Sequence, residues 1–176
     1  MNPGKRRRKA LRQAAGLLVA LALAAAAGLC VRYFGAGTVR IASTSMNDTL
    51  SGGDIALVVR CAYRQSAPRR GDVVECRFPG RADTYVKRVI GLPGETLAFS
   101  GGALTVDGAA VAEPYVSTPT EDCEVTLGED EYFVLGDNRE ASYDSRMEDM
   151  GPIGLDGFVG RVVFVLWPPE RMGAVD

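Results

Sequence analysis

An all-β domain carried on one N-terminal apolar helix is the fold class this chain predicts, and three observations predict it. Residues 14–31 form an uninterrupted apolar run without a charge. Beyond it, short runs rich in Val, Ile, Leu, Phe and Tyr recur between Gly, Pro and Asp. In that second part no apolar period of 3.6 residues persists over the length of a helix.

The helix comes first. Ala14 to Val31 is rich in Leu and Ala, and a helix of that length spans about 27 Å, close to the hydrocarbon thickness of a bilayer. Before it stand Lys5, Arg6, Arg7, Arg8, Lys9 and Arg12 with no acid among the first twelve residues. Such a basic cluster stays on the cytoplasmic side, which places the rest of the chain across the membrane. A cleaved secretory signal is the alternative, but its apolar stretch is usually about 7–15 residues. The expected organisation is a cytoplasmic basic tail at 1–12, an anchor helix at 13–34 and an extracytoplasmic domain at 35–176. Its lipid partner is the bilayer around residues 14–31.

The strands follow. In chain order the predicted strands are Val39–Ala42, Ile55–Arg60, Val73–Phe78, Thr84–Ile90, Ala103–Val106, Tyr132–Leu135 and Phe158–Leu166. Gly53-Asp54 and Gly71-Asp72 each open a strand, and Leu92-Pro93-Gly94 closes one. Asp107-Gly108, between Leu-Thr-Val and Ala-Ala-Val, predicts a tight hairpin turn. Together they predict a barrel or a folded sheet.

Six of the twenty Lys and Arg residues lie in the first twelve positions, whereas Asp and Glu number 22, so the domain itself is acidic. That excludes nucleic acid as a partner. Of the four cysteines, Cys30 lies in the anchor and Cys61, Cys76 and Cys123 in the domain. Cys61 and Cys76 flank a turn-rich stretch and could meet across a hairpin, but the connectivity stays open. With no Cys-x-x-Cys pair and no histidine, no metal site is expected.

The chemistry starts at Lys87, the one lysine beyond residue 9. Its neighbours in Thr-Tyr-Val-Lys-Arg-Val-Ile are mostly apolar, and an apolar site disfavours the charged ammonium. A neutral amine near pH 7 can take a proton from a serine hydroxyl. The absence of histidine excludes a Ser-His-Asp triad. Ser45 lies just past the strand Val39–Ala42, where a turn exposes a hydroxyl on a rigid support. Ser43, two residues earlier, points to the same side of an extended chain and could join the Ser45 N–H as an oxyanion donor.

A second polar cluster, Gly136 to Arg146, follows the strand Tyr132–Leu135. Alternation places Ser142, Asp144 and Arg146 on one side if the segment is extended. Asp144 and Arg146 could pair with each other or with Asp137.

Three blocks together resemble bacterial type I signal peptidases, the Ser-Lys peptidases of family S26. They are Ser-Met-Asn-Asp-Thr-Leu (45–50), Tyr-Val-Lys-Arg-Val-Ile-Gly-Leu-Pro-Gly-Glu (85–95) and Gly-Asp-Asn-Arg-Glu-Ala-Ser-Tyr-Asp-Ser-Arg (136–146). Their order, the N-terminal anchor and the segment Gly157 to Pro168 also fit. The resemblance implies a β-rich catalytic domain on one transmembrane helix, in the plasma membrane of a bacterium and with its N-terminus cytoplasmic. It implies a serine endopeptidase, without cofactor, that removes signal peptides from exported preproteins after small residues in an Ala-x-Ala pattern. By the same resemblance Ser45 is the nucleophile, Lys87 its general base, and Ser43 with the Ser45 N–H the oxyanion hole. Ser142 orients the lysine, Asp144 and Arg146 form a supporting salt bridge, and Asp137 belongs to their network. Met46 lines the substrate groove, and Arg88 matches the pattern without a catalytic role.

Asp48 departs from the family, which usually has proline there. Aspartate would loosen the turn and, if close, favour the charged form of Lys87. Two other readings compete: a non-catalytic membrane-tethered accessory protein, as in pilus assembly, and a self-cleaving Ser-Lys protease like the LexA-type repressors. The latter carry a DNA-binding head, which an anchor and an acidic domain do not fit.

Overall fold

The computed structural model describes residues 13, 15–26, 28–29 and 35–175. The chain divides into two units, Met1–Ala36 and Gly37–Asp176. In the first, the described residues from 13 to 29 are helical, and Leu17, Leu18, Val19, Leu21 and Leu23 expose their side chains. Among the described residues no helix is long and apolar enough to cross a membrane. The expected basic tail at 1–12 lies outside the described residues, as do 14, 27 and 30–34 of the expected anchor.

Among the described residues the strands are β1 (Ala36–Arg40), β2 (Ile55–Val59), β3 (Val73–Cys76), β4 (Tyr85–Gly91), β5 (Thr96–Ser100), β6 (Ala103–Val106), β7 (Ala109–Val111), β8 (Cys123–Thr126), β9 (Phe133–Leu135), β10 (Phe158–Trp167) and β11 (Gly173–Ala174). They form a seven-stranded sheet in the order β1-β2-β10-β3-β4-β9, with β11 also on β10, and a four-stranded sheet in the order β7-β6-β5-β8. All the expected strands are found, Ala103–Val106 with the same ends and the others with shifted ends. The first starts earlier, and by Ile41 the chain has left β1 to bond back to Asp54, its N–H 2.9 Å from the Asp54 carbonyl.

Residue pattern explains the layering. Along β2 the buried residues alternate, with Ala56 and Val58 inward, as period 2 requires of a sheet with one covered face. On β3 both faces are covered: Val73 packs with Ile41, Met46, Val58 and Val162, while Val74 packs on the other side with Phe78, Val89 and Val134. A third cluster, built on Leu97, Phe99, Leu104 and Leu135, joins the small sheet to the end of the large one.

Turn chemistry sits where the sequence predicts it. Asp107 and Gly108 both have positive φ, 50° and 79°, as a two-residue hairpin turn demands, and Val106 pairs with Ala109 across it. Before β2 and β3, Asp54 and Asp72 each accept the N–H of the residue three earlier, at 2.8 Å from Ser51 and 3.0 Å from Arg69. Cys61, Cys76 and Cys123 are free thiols, so the pairing of Cys61 with Cys76 is not formed.

Candidate active site

Lys87 lies in the middle of β4, opposite Val74 of β3, and is 3 % exposed. Its Nζ donates to Ser45 Oγ at 2.8 Å. Burial lowers the lysine pKa from its ordinary 10.5. Asp144, Cys76 and Asp137 pull it back up, while Arg146 works with burial. The Cys76 thiol, itself wholly buried, is pushed up to about 12, chiefly by desolvation.

Ser45 sits in the turn between β1 and β2 and is 4 % exposed. Ser43 Oγ is 3.2 Å from Ser45 Oγ. Met46, beside it, is buried in the core cluster of Ile41, Leu50 and Val58 and also lines a cleft of ≈ 190 Å³. That cleft runs between the chain at Val39–Ser43 and the chain at Thr84–Lys87, with Ser45 among its walls. An amine bonded to a buried hydroxyl, at a cleft with two extended walls, can deprotonate that hydroxyl against an extended chain.

The loop after β9 backs this turn. Gly136 donates its N–H to Asp144 Oδ2 at 3.0 Å. Arg146 holds Asp144 with two prongs, Nε to Oδ1 at 2.8 Å and Nη2 to Oδ2 at 3.0 Å, and Arg146 Nη2 also donates to the Arg139 carbonyl at 2.7 Å. This closes the loop on itself, since a planar guanidinium fits a carboxylate in one orientation. Ser142 lies in the same place without bonding Lys87. Its Oγ is buried and has no hydrogen-bond partner, and it packs against Gly136. The lysine amine is directed at Ser45 instead.

Asp137 does not join Asp144 and Arg146. It takes Arg88, Nε to Oδ1 at 2.9 Å and Nη2 to Oδ2 at 2.8 Å. Thr49 Oγ1 donates to the same carboxylate at 2.6 Å, and the Tyr115 ring covers the guanidinium, with Cζ 4.0 Å from its centroid. Asp48 is exposed and is not among the groups whose charge reaches Lys87.

Sequence reasoning overlooked Gly136, Asn138, Thr49 and Arg139. Asn138 donates its N–H to the Ser45 carbonyl at 3.0 Å and Nδ2 to the Thr44 carbonyl at 3.2 Å. Arg139 is buried, bonded to the Gly136 carbonyl at 3.0 Å and to Glu113 at 2.6 Å. The density of donors and acceptors straight after a strand was the available signal.

Comparison with known proteins gives the family. The family model for signal peptidase, peptidase S26, matches residues 13–167. A signal peptidase I of Leptolyngbya laminosa is 35% identical over 168 residues, 90% of this chain and 79% of the relative. A signal peptidase I of Bacillus licheniformis is 33% identical over 169 residues, 89% of this chain and 90% of the relative. The crystal structure of a signal peptidase I from Enterococcus faecalis matches with a TM-score of 0.50 and 30% identity, covering 55% of this chain and 97% of that one. A β-rich chain that matches this family model over most of its length belongs to the peptidase S26 family, among the type I signal peptidases.

Proposed function

We propose that the chain removes signal peptides from exported preproteins with a Ser45–Lys87 dyad, after small residues in an Ala-x-Ala pattern. The observation that carries this reading is the 2.8 Å bond from Lys87 Nζ to Ser45 Oγ, both groups buried at the wall of one cleft. Neutral Lys87 takes the Ser45 proton as Oγ attacks the scissile carbonyl. Ser43 Oγ and the Ser45 N–H are the donors for the oxyanion that forms. The carbon–nitrogen bond then breaks, Lys87 returns its proton to the leaving amine, and an ester remains on Ser45. Lys87 next takes a proton from water, which attacks the ester; the bond from the carbonyl carbon to Ser45 Oγ breaks, Lys87 returns the proton to Oγ, and the acid product leaves.

Asp144 and Arg146 support the lysine from the loop, and Ser142 of the same loop orients it. The narrow cleft, with Ile41, Met46 and Val86 in its walls, favours small side chains. The exposed apolar side chains at Leu17–Leu23 and the basic residues at 5–12 support a single bilayer anchor. With the N-terminus in the cytoplasm of a bacterium, catalysis takes place on the outer side of the plasma membrane.

The test is cleavage of one Ala-x-Ala preprotein by the detergent-solubilised full chain, beside Ser45→Ala and Lys87→Ala. Correct cleavage that disappears in both variants, with the fold retained, is expected. Turnover retained by folded Lys87→Ala would sink the dyad.

A further inference from the structure

Asn138, whose N–H holds the Ser45 carbonyl at 3.0 Å, stands between two residues tied to buried arginines. Arg88 takes Asp137 before it, and the residue after it is Arg139. Both guanidinium groups lie in the interior. Arg139 is the one that shapes the turn. Its Nε donates to the Gly136 carbonyl at 3.0 Å, and its own carbonyl accepts from Arg146 Nη2 at 2.7 Å. The side chain thus closes a clamp from residue 139 back to 136, with Asn138 inside it.

The group that aims this guanidinium comes from the small sheet. Residues 113–120 run between β7 and β8. Glu113 takes Arg139 with both oxygens, Nη2 to Oε1 at 2.6 Å and Nη1 to Oε2 at 3.3 Å, and Thr120 Oγ1 accepts from Nη1 as well. Tyr115 donates its hydroxyl to Glu113 Oε1 at 3.2 Å and lays its ring over Arg88. The side chains of Arg139 and Glu113 are 1% and 6% exposed. A fork held at two points fixes the plane of the guanidinium, and with it the direction in which Nε donates. A guanidinium stranded in the interior is costly, so without the carboxylate it swings toward solvent and the Gly136 carbonyl loses its donor.

We propose that Glu113 is a positioning residue for Ser45: it aims Arg139, Arg139 holds the turn from Gly136 to Arg139, and that turn places Asn138 against the serine. The inference rests on the peptidase reading above and extends the support of the site to the small sheet. Neither Glu113 nor Arg139 lines the cleft beside Ser45, so losing their bond acts on kcat and not on KM.

The experiment uses the full chain in detergent and one Ala-x-Ala peptide, with Ser45 titrated by an acylating inhibitor so that kcat is counted per labelled site. Glu113→Gln keeps the shape of the side chain and removes its charge; it should lower kcat per site about tenfold and leave KM within about twofold. Arg139→Lys, a point charge that cannot hold a fork and a third acceptor in one plane, should do the same. The double variant should be no slower than either single one, because both act through one path. In each variant the Asn138 amide should exchange its hydrogen about tenfold faster. A structural role alone would reduce the number of labelled sites and leave kcat per site at the wild-type value, which would overturn the proposal. Losses that multiply in the double variant, or Asn138 exchange unchanged in Glu113→Gln, would overturn it too. Should Glu113→Gln fail to fold, Glu113→Asp keeps the charge one carbon short of the fork and faces the same outcomes. If wild type neither cleaves the peptide nor takes the label at Ser45, the peptidase reading itself fails, and this inference with it.

Discussion

Asn138 donates its backbone N–H to the carbonyl oxygen of Ser45 at 3.0 Å, so the loop after β9 holds the serine turn from behind. Asn138 Nδ2 reaches the Thr44 carbonyl as well. The serine is thus fixed from two sides, by Lys87 at its hydroxyl and by the loop at its backbone. Geometry held by supporting bonds is what a displacement of about 1 Å would spoil.

Gly136 is where that support is most sensitive. A Cβ added there would lie 2.5 Å from the Ser45 carbonyl oxygen and would overlap the Ser142 side chain. Either the turn or the loop must move. Gly136→Ala should lower kcat/KM about 100-fold and cost about 1–3 kcal/mol of stability. Peptide cleavage and urea denaturation check the two effects. Near-normal activity would mean that the loop yields without moving Ser45.

The pair of Arg88 and Asp137 carries stability. Their side chains are 2% and 0% exposed, and Arg88 also donates to the Gly71 carbonyl at 2.9 Å. Removing one partner strands the other charge in the interior. Asp137→Ala should therefore destabilise by about 3–5 kcal/mol, read as a lower urea midpoint. A loss below about 1 kcal/mol would mean that water reaches Arg88 and replaces the carboxylate.

Much of the large sheet was legible because its strands carry strong apolar residues between Gly-Asp turns. In the small sheet β6 and its Asp107-Gly108 turn into β7 were legible, whereas β5 and β8 were not. β8, Cys-Glu-Val-Thr, is an edge strand with every residue exposed or half-exposed, so no apolar pattern marks it. β5, Thr-Leu-Ala-Phe-Ser, does alternate, with Leu97 and Phe99 inward, but alanine between them weakens the signal. At the site, Lys87 stood out by being alone, and Ser45 by its place after a strand. Which carboxylate pairs with which arginine depends on the side to which each loop residue turns. That is set by tertiary packing, so the sequence leaves open whether Arg146 takes Asp144 or Asp137 and does not point to Arg88 as the partner of Asp137.

Asp48 occupies a position that proline could take. Its φ is not positive, its side chain is exposed, and its N–H donates to no group among the described residues. Proline would then lose no hydrogen bond while restricting the unfolded chain. Asp48→Pro should raise stability by about 0.4–1 kcal/mol. Since Asp48 is exposed and is not among the main charges acting on Lys87, the pH profile of cleavage should keep its midpoint. A midpoint moved by the substitution would show that the carboxylate reaches the lysine after all.

Lys87 makes both activity and stability depend on pH, with a sign that burial decides. In the unfolded chain its ammonium titrates near 10.5, and in the folded protein burial lowers that value. Between the lowered value and 10.5 the unfolded state therefore binds more protons than the folded one. Stability rises with pH through that window, by at most about 1.4 kcal/mol per unit, and below it the full cost of burying the charge remains. Cys76, pushed up from 9.0 to about 12, acts the other way above about pH 9, where the unfolded thiol ionises and the folded one does not, so the Lys87 slope is read below that pH. Lys87→Met should flatten the slope, gain stability below the window and abolish cleavage. Asp144→Asn removes the strongest charge that favours the ammonium, so the acid limb of the wild-type cleavage profile should move to lower pH. Urea denaturation at stepped pH values and a kcat/KM profile test both statements. An acid limb moved to higher pH by Asp144→Asn would mean that Asp144 acts on Lys87 through the shape of the loop and not through its charge.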